Sequence, residues 1–253
     1  MAGPLTGLPS GLSVVIPAFN EETFVGGLVL AVCAVLNQSS LPAWEVIVVD
    51  DASTDQTHVR AEDVARSEAR VRVVRHERNR GKGAAVQTGI SAANLSHVLV
   101  QDADREYDPS DIPRLWNAVV QSGEPDRTVA FGSRSLGARR LPGWRGRLKK
   151  WPRQSPGPWL FGYVLSAWFA VVKRRWISDL LTGYKLYPRG LFLGWSPETS
   201  GFETDHEITM KILNAGLRIV EVPVSYTPRS KEEGKKINWR DAVKALRTVW
   251  RYR

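Results

Sequence analysis

Val98-Leu99-Val100-Gln101-Asp102-Ala103-Asp104 is the stretch from which the rest of the chain is read. A short apolar strand runs straight into two carboxylates one residue apart. Charge at the end of a buried strand is costly unless something compensates it. A divalent cation would do so: Mg²⁺ takes hard oxygen ligands, usually one or two carboxylates plus substrate phosphates. Asp102 and Asp104 are therefore candidate metal ligands. The plainer alternative is a solvated Asp-rich turn, since Asp is common in turns.

Outward from this stretch, strand and helix patterns alternate. Leu12–Ile16, stopped by Pro17, Trp44–Val49, Val71–Arg75, Val98–Gln101 and Val129–Gly132 read as strands. Helical stretches are expected over Phe24–Leu36, from Ser53 or Thr54 onward, from Gly81 to about Ala93, and from Pro109-Ser110-Asp111 to near Ser122. Such alternation predicts βαβ units around a mostly parallel sheet, an α/β fold. Ligands of these sheets bind outside the carboxyl ends of the strands. The segments following the strands carry polar residues: Asn20-Glu21, Asp50-Asp51, Asn79–Gly83, Asp102–Asp104 and Ser133-Arg134. All five are expected on one edge, which favours the metal-site reading over a plain turn.

The chain has 253 residues, 43% hydrophobic and 24% charged, enough for a substantial core. Its net charge of +9 points to a polyanionic partner. A single cysteine, Cys33, excludes a disulfide within the chain and agrees with a reducing cytosol. Met1–Gly11 lacks the pattern of a signal peptide. The longest uncharged apolar run, Trp159–Val172, falls short of the ~20 residues that cross a bilayer. It is flanked by Arg and Lys and carries Trp159, Phe161, Tyr163, Trp168 and Phe169, a pattern expected of a helix lying in the headgroup layer. A buried helix is the alternative. Arg139–Arg153 carries seven basic residues and no acid. Phe202–Ala215 reads as an amphipathic helix with Glu203, Asp205 and Glu207 near its start, and Arg218–Val222 as a strand.

Each polar motif has two readings. Gly81-Lys82-Gly83 brings N–H groups and an ammonium to a phosphate, or simply opens a helix. Asp50-Asp51 accepts hydrogen bonds from a nucleoside, or its loop caps a helix through Ser53, Thr54 and Asp55. Glu106 completes a metal shell, or is a surface acid. Glu203, Asp205 and Glu207 supply a general base with His206 adjacent, or are favourable first-turn acids.

Taken together, Pro17-Ala18-Phe19-Asn20-Glu21, Asp50–Thr57, Asn79-Arg80-Gly81-Lys82-Gly83, Asp102-Ala103-Asp104 and Gly132-Ser133-Arg134 resemble, in order and spacing, the successive motifs of family 2 glycosyltransferases, in particular the dolichol/polyprenyl-phosphate mannosyltransferase-like branch. The resemblance runs over about residues 12 to 250. It implies a GT-A (Rossmann-like) fold as a single domain, with a nucleotide-sugar-binding half, 1–134, and an acceptor-binding half, 135–253, containing an interfacial helix near 157–175. It implies a donor site of Pro17, Ala18, Asn20, Glu21, Asp50, Asp51, Lys82, Asp102 and Ala103. Mg²⁺ or Mn²⁺ would sit on Asp102, Asp104 and Glu106, although the family often has Gln where Glu106 stands. Asp104, Arg134 and Asp205 are candidate catalytic residues. Arg134, Arg229, Lys235 and Lys236 are candidates for the acceptor.

The reaction so implied is inverting transfer of a hexose from a GDP- or UDP-sugar to a polyprenyl phosphate, by a cytoplasmic protein peripheral to an anionic membrane face. Membrane-anchored members of the branch carry further transmembrane helices, so lipid contact here is expected from interfacial segments. The same donor chemistry with a soluble hydroxyl acceptor is one alternative. A basic, non-catalytic membrane- or nucleic-acid-binding module is another. No nucleic-acid partner is expected, because no recognised module is present and the strand-end acids repel phosphate without a metal.

Overall fold

A computed structural model describes residues 9–139, 166–167, 170, 176–180, 182–194, 199 and 204–228. The strands are β1 (Leu12–Ala18), β2 (Trp44–Asp50), β3 (Val71–Arg75), β4 (His97–Val100), β5 (Thr128–Ser133), β6 (Lys185–Pro188) and β7 (Arg218–Pro223). They form one sheet in the order β3-β2-β1-β4-β6-β5-β7. All neighbours are parallel except β6, which runs antiparallel to both β4 and β5. The helices are α1 (Val25–Asn37), α2 (Thr57–Ser67), α3 (Lys82–Ala92), α4 (Ile112–Val120), α5 (Arg134–Arg139) and α6 (Thr204–Asn214).

Both faces of the sheet are covered, which is why the strands read as continuous apolar runs rather than alternating ones. Val14, Ile16, Val46 and Val48 face a core shared with α1 and α4. Val15, Ile47 and Val49 point the other way, into a core shared with α3 and with Ile208 and Ile212 of α6. In α1, Val25, Leu28, Val29, Val32 and Leu36 are buried, the i, i+3, i+4 spacing of a single helical face. On the opposite face α3 lies directly on β1: a Cβ at Gly89 would come within 2.2 Å of Val15 Cγ1. That close approach fixes the height at which the N-terminus of α3 meets the sheet edge.

Two expectations need correction. β1 does not stop at Pro17; it continues to Ala18, pairing Pro17 with Val49. The Ala18 carbonyl accepts from Asp51 N, on the β2 side, and the Val15 carbonyl from Gln101 N, on the β4 side. By alternation the missing N–H of Pro17 faces β4, beyond the last residue that β4 pairs with β1, so the ladder loses nothing. The second correction is β6, a strand missing from those expected of the sequence. Its four residues are all buried between β4 and β5. Because it runs backwards, its start, rather than its end, lies on the carboxyl edge of the parallel strands. Residues of the expected interfacial helix other than Ser166, Ala167 and Ala170 lie outside the described residues, as does the segment from Arg229 onward. Among the described residues no helix is long and apolar enough to cross a membrane.

Candidate active site

The carboxyl ends of β1 to β5 share one edge, and the segments that follow them build the site. The first two are joined to each other. Asn20, at φ +54°, donates its N–H to Ser53 Oγ (3.0 Å) and accepts from Thr54 N (2.9 Å) through Oδ1. Glu21 N donates to Thr57 Oγ1 (2.8 Å), and Glu22 N to Asp55 Oδ2 (3.2 Å). The expectation that Ser53 or Thr54 starts a helix is thus overturned: α2 begins at Thr57, and the two residues hold the neighbouring loop instead. The Glu21 carbonyl accepts from Val25 N (2.9 Å) in the first turn of α1.

Asp50 and Asp51 are both buried. Asp50 Oδ1 accepts from Ser53 N (3.0 Å). Its Oδ2 lies 3.2 Å from Arg75 Nε but makes no hydrogen bond among the described residues. Asp51 reaches across to the β3–α3 turn: Oδ1 accepts from His76 Nδ1 (2.6 Å) and Arg80 N (2.9 Å), and Oδ2 from Gly81 N (2.7 Å).

Beyond β4 the Asp-Ala-Asp spacing separates two environments. Ala103 is buried in the core with α1 and α4. Asp102 Oδ1 pairs with Lys82 Nζ at 2.7 Å. Asp104 Oδ1 accepts from Glu106 N (3.0 Å), closing a tight turn. Glu106 Oε2 accepts from the Tyr226 hydroxyl (2.6 Å), and its carbonyl from Thr227 N (2.9 Å), so it fastens the acidic loop to the chain that follows β7.

Lys82 is the junction of the two halves. Its ammonium also pairs with Asp205 Oδ2, at 2.8 Å, in the first turn of α6. Burial pulls its pKa down, but the Asp102 and Asp205 carboxylates outweigh burial and leave it above the ordinary lysine value. Gly183 closes the group from the β6 side; a Cβ there would lie 3.3 Å from Asp102 Oδ2 and 3.4 Å from Asp205 Oδ2. Glu207 takes a different direction and accepts from Thr199 Oγ1 (2.7 Å). Residues two apart on a helix point about 200° apart, so Asp205 and Glu207 do not both reach the site. Glu203 lies outside the described residues.

Arg134, at the end of β5, is clamped by Asp179: Nε to Oδ2 and Nη2 to Oδ1 are both 2.7 Å, and the Arg134 N–H adds a third bond to Oδ2 (2.9 Å). Its guanidinium lies over the Tyr226 ring, 5.2 Å from the centroid. Beneath it, Tyr107 stacks on Tyr184 (4.7 Å) and its hydroxyl lies 3.3 Å from Thr182 Oγ1. Burial pushes the Tyr107 hydroxyl up to about 12. Lys185 is 2% exposed, and its ammonium donates to the Thr182 carbonyl. Burial pulls its pKa down to about 8, against the opposing pull of Asp205 and Asp179.

The structure thus brings together Asp102, Lys82 and Asp205, and sets Arg134 on Asp179. Asp102 and Asp104 offer the hard oxygens a divalent cation takes, one Asp102 oxygen being paired with the Lys82 ammonium. Among the described residues no three His, Cys, Asp or Glu side chains are gathered as a metal cage. That donor set fits a cation whose shell substrate phosphates complete. Arg229, Lys235 and Lys236 lie outside the described residues. Sequence reasoning assigned no site role to Lys185, Tyr107 or Tyr226. The one available signal was the polar quartet Thr182–Lys185, flanked by apolar residues.

The family model described as glycosyl transferase family 2 matches residues 13–180. The chain is 40% identical over 138 residues to a dodecaprenyl-phosphate galacturonate synthase of Rhizobium johnstonii, an alignment covering 53% of the chain and 40% of that protein. It is 28% identical over 246 residues to a dolichol-phosphate mannosyltransferase of Pyrococcus furiosus, covering 95% of the chain and 63% of the relative. The chain thus spans less than two thirds of the length of either relative. Among solved structures, glucosyl-3-phosphoglycerate synthase from Mycobacterium tuberculosis, crystallised with Mn²⁺, UDP and phosphoglyceric acid, superposes with a TM-score of 0.67 at 19% identity, covering 96% of this chain and 78% of the other. The fold is that of the GT-A glycosyltransferases.

Proposed function

The chain belongs to glycosyl transferase family 2, and on that premise we propose that it transfers a hexose, with inversion, from a GDP- or UDP-sugar to a polyprenyl phosphate at the cytosolic face of a membrane. The observation that carries this reading is the junction at Lys82, where carboxylates from β4 and α6 meet one ammonium at the carboxyl edge of the sheet. The names of the relatives, which are polyprenyl-phosphate transferases, support the acceptor class.

In this reading the loops holding Pro17, Ala18, Asn20, Glu21, Asp50 and Asp51 receive the nucleoside. Asp102 and Asp104, with Ala103 between them, meet the diphosphate side. Asp102 and Asp104 would hold Mg²⁺ or Mn²⁺, Glu106 being engaged by the Tyr226 hydroxyl, and the bound ion would supply Lewis-acid stabilisation of the leaving diphosphate. Lys82 adds a fixed positive charge beside the same group. A phosphate acceptor is largely ionised near neutral pH, its second pKa lying around ~6. It needs placing by cations rather than a base, and Arg134, with Arg229, Lys235 and Lys236, supplies them. Residues 1–134 act as the donor half and 135–253 as the acceptor half, with lipid contact near 157–175.

The hydroxyl-acceptor reading rests on Asp205, a carboxylate at the site; its pairing with Lys82 argues for a structural role instead. The test is hexose transfer from UDP- and GDP-sugars to a short polyprenyl phosphate, with Mn²⁺, with Mg²⁺ and with EDTA. Metal-dependent transfer to the lipid phosphate is expected. Transfer only to alcohols would overturn the acceptor, full activity in EDTA the metal, and no donor turnover with any acceptor the enzyme reading.

A further inference from the structure

We propose that Tyr226 is a positioning residue for both ends of the transfer: its hydroxyl fixes the turn that carries Asp104, and its ring carries the guanidinium of Arg134. The role rests on the reading proposed above, in which Asp104 serves a cation at the donor diphosphate and Arg134 meets the acceptor phosphate. It holds whether or not Glu106 also meets the cation. Tyr226 lies just past β7 and pairs with Tyr107 in an isolated antiparallel bridge, so the chain leaving β7 runs back along the chain leaving β4. It is fastened there on both sides of the bridge. Ser225 N donates to Asp111 Oδ2, Thr227 N to the Glu106 carbonyl (2.9 Å), and the Tyr226 hydroxyl to Glu106 Oε2 (2.6 Å). An ionised carboxylate only accepts, so the hydroxyl is the donor of that last bond.

Glu106 in turn donates its own N–H to Asp104 Oδ1 (3.0 Å). Tyr226 and Thr227 thus grip Glu106 by side chain and carbonyl, and Glu106 grips Asp104 by its amide. Arg105, between the two acids, has φ +58°. A non-glycine residue keeps that left-handed conformation only where its surroundings hold it. The acidic turn therefore depends on anchors outside itself, and the Tyr226 hydroxyl is one of them. The ring of the same residue serves Arg134. Asp179 holds the planar guanidinium by its edge, through Nε and Nη2, while Tyr226 meets it face-on at 5.2 Å. The Tyr107 ring, 5.1 Å away, packs against the Tyr226 ring in turn. One side chain thus fixes the place of Asp104 relative to Arg134, and with it the approach of the incoming phosphate to the leaving diphosphate.

Two substitutions separate the hydroxyl from the ring. Tyr226→Phe removes the hydroxyl and keeps the ring; Tyr226→Leu removes both. The first measurement is calorimetry with UDP and GDP, in Mn²⁺ and in EDTA. Both variants should lose on the order of tenfold of the affinity that Mn²⁺ adds, with the affinity in EDTA within about twofold of wild type. The second measurement is the KM for a short polyprenyl phosphate at saturating donor and Mn²⁺. Tyr226→Leu should raise it about fivefold, and Tyr226→Phe less than about twofold. In a Glu106→Ala background Tyr226→Phe should change nucleotide affinity by less than about twofold, because the hydroxyl acts through that carboxylate.

An Mn²⁺-dependent gain unchanged in Tyr226→Phe, a loss as large in EDTA as in Mn²⁺, the same acceptor KM in both variants, or a Tyr226→Phe effect undiminished by Glu106→Ala would each overturn the proposal. If Tyr226→Leu does not fold, Tyr226→Met replaces it in both measurements, with the same outcomes expected. Wild type whose nucleotide affinity owes nothing to Mn²⁺ would remove the metal from the reading above, and the hydroxyl's role with it. Wild type that leaves the polyprenyl phosphate untouched would remove the acceptor, and the ring's role with it. Wild type that uses both, without the expected order among the variants, would remove this role alone.

Discussion

At Asn20 and Ser53 two loops meet through backbone N–H groups donating to side chains of the other loop. At Lys82 and Arg134 the first half of the chain meets the second through charged side chains instead. The first kind of join is made by residues about 33 apart and leaves a recognisable pattern of Asn, Ser, Thr and Asp. The second joins Lys82 to a residue 123 positions away and Arg134 to one 45 away. Backbone-anchored loops hold a shape with few charges. Charge-bridged halves hold together only while each ion has its partner.

The sharpest way to break the contrast is at the acidic tip. Asp104→Asn keeps an oxygen to accept from Glu106 N but removes the charge. If that charge serves a cation at the diphosphate, transfer should fall at least about 10³-fold with little change in melting temperature. Donor turnover and circular dichroism on one preparation check both halves of the statement. Retained turnover would move Asp104 from the reaction to the turn.

Next in size is the Arg134 clamp. Asp179→Ala leaves a partly buried guanidinium without its two-pronged partner, and removing one member of such a pair costs more than the pair contributes. A loss of about 2–3 kcal/mol in urea unfolding is expected. By contrast, Ser53→Ala in the first kind of join, which removes the Oγ that accepts from Asn20 N, should cost about 1 kcal/mol. Equal losses would show that the two joins do not differ.

The difference between the joins also explains what could be read from the chain alone. The βαβ alternation and the shared edge were legible because both faces of the sheet are covered and the strands are unbroken apolar runs. Asp102 and Lys82 were legible because they lie where strands end and a helix begins. The strand β6 was not: Lys185 and Pro188 break the apolar pattern, and its burial comes from β4 and β5, strands distant in sequence. The partnership of Lys82 with Asp205 was equally hidden. Of the first-turn acids of α6, nothing local says which one faces the β4 tip; the packing of α6 on the sheet decides it.

Lys185 gives a smaller and pH-dependent test. Its folded pKa of about 8 lies below the ordinary 10.5, burial being the main cause. Below pH 8 both folded and unfolded chains carry the proton, and the cost of the buried charge is fully present. Between pH 8 and 10.5 only the unfolded chain carries it, so this group's contribution to stability rises with pH. Lys185→Met should therefore be more stable than wild type at pH 7, by about 1–2 kcal/mol. The gap should close as the pH approaches 10. Urea midpoints at pH 7 and pH 9.5 measure it, and a gap that widens with pH would contradict the assigned direction.

The smallest expected effect decides the most about the acceptor. Asp205→Asn leaves an amide oxygen facing the Lys82 ammonium and removes any capacity to take a proton. Loss of a general base lowers turnover by about 10²–10⁴-fold. Loss of a charge that only holds Lys82 in place costs far less, because Asp102 still pairs with the ammonium at 2.7 Å. With a polyprenyl phosphate acceptor the nucleophile is already an anion, so kcat should fall less than about tenfold. A rate that falls by 10²-fold or more, and recovers as the pH is raised and the acceptor ionises, would make Asp205 the base for a hydroxyl. The junction of the two halves would then be the reacting centre itself rather than the support beneath it.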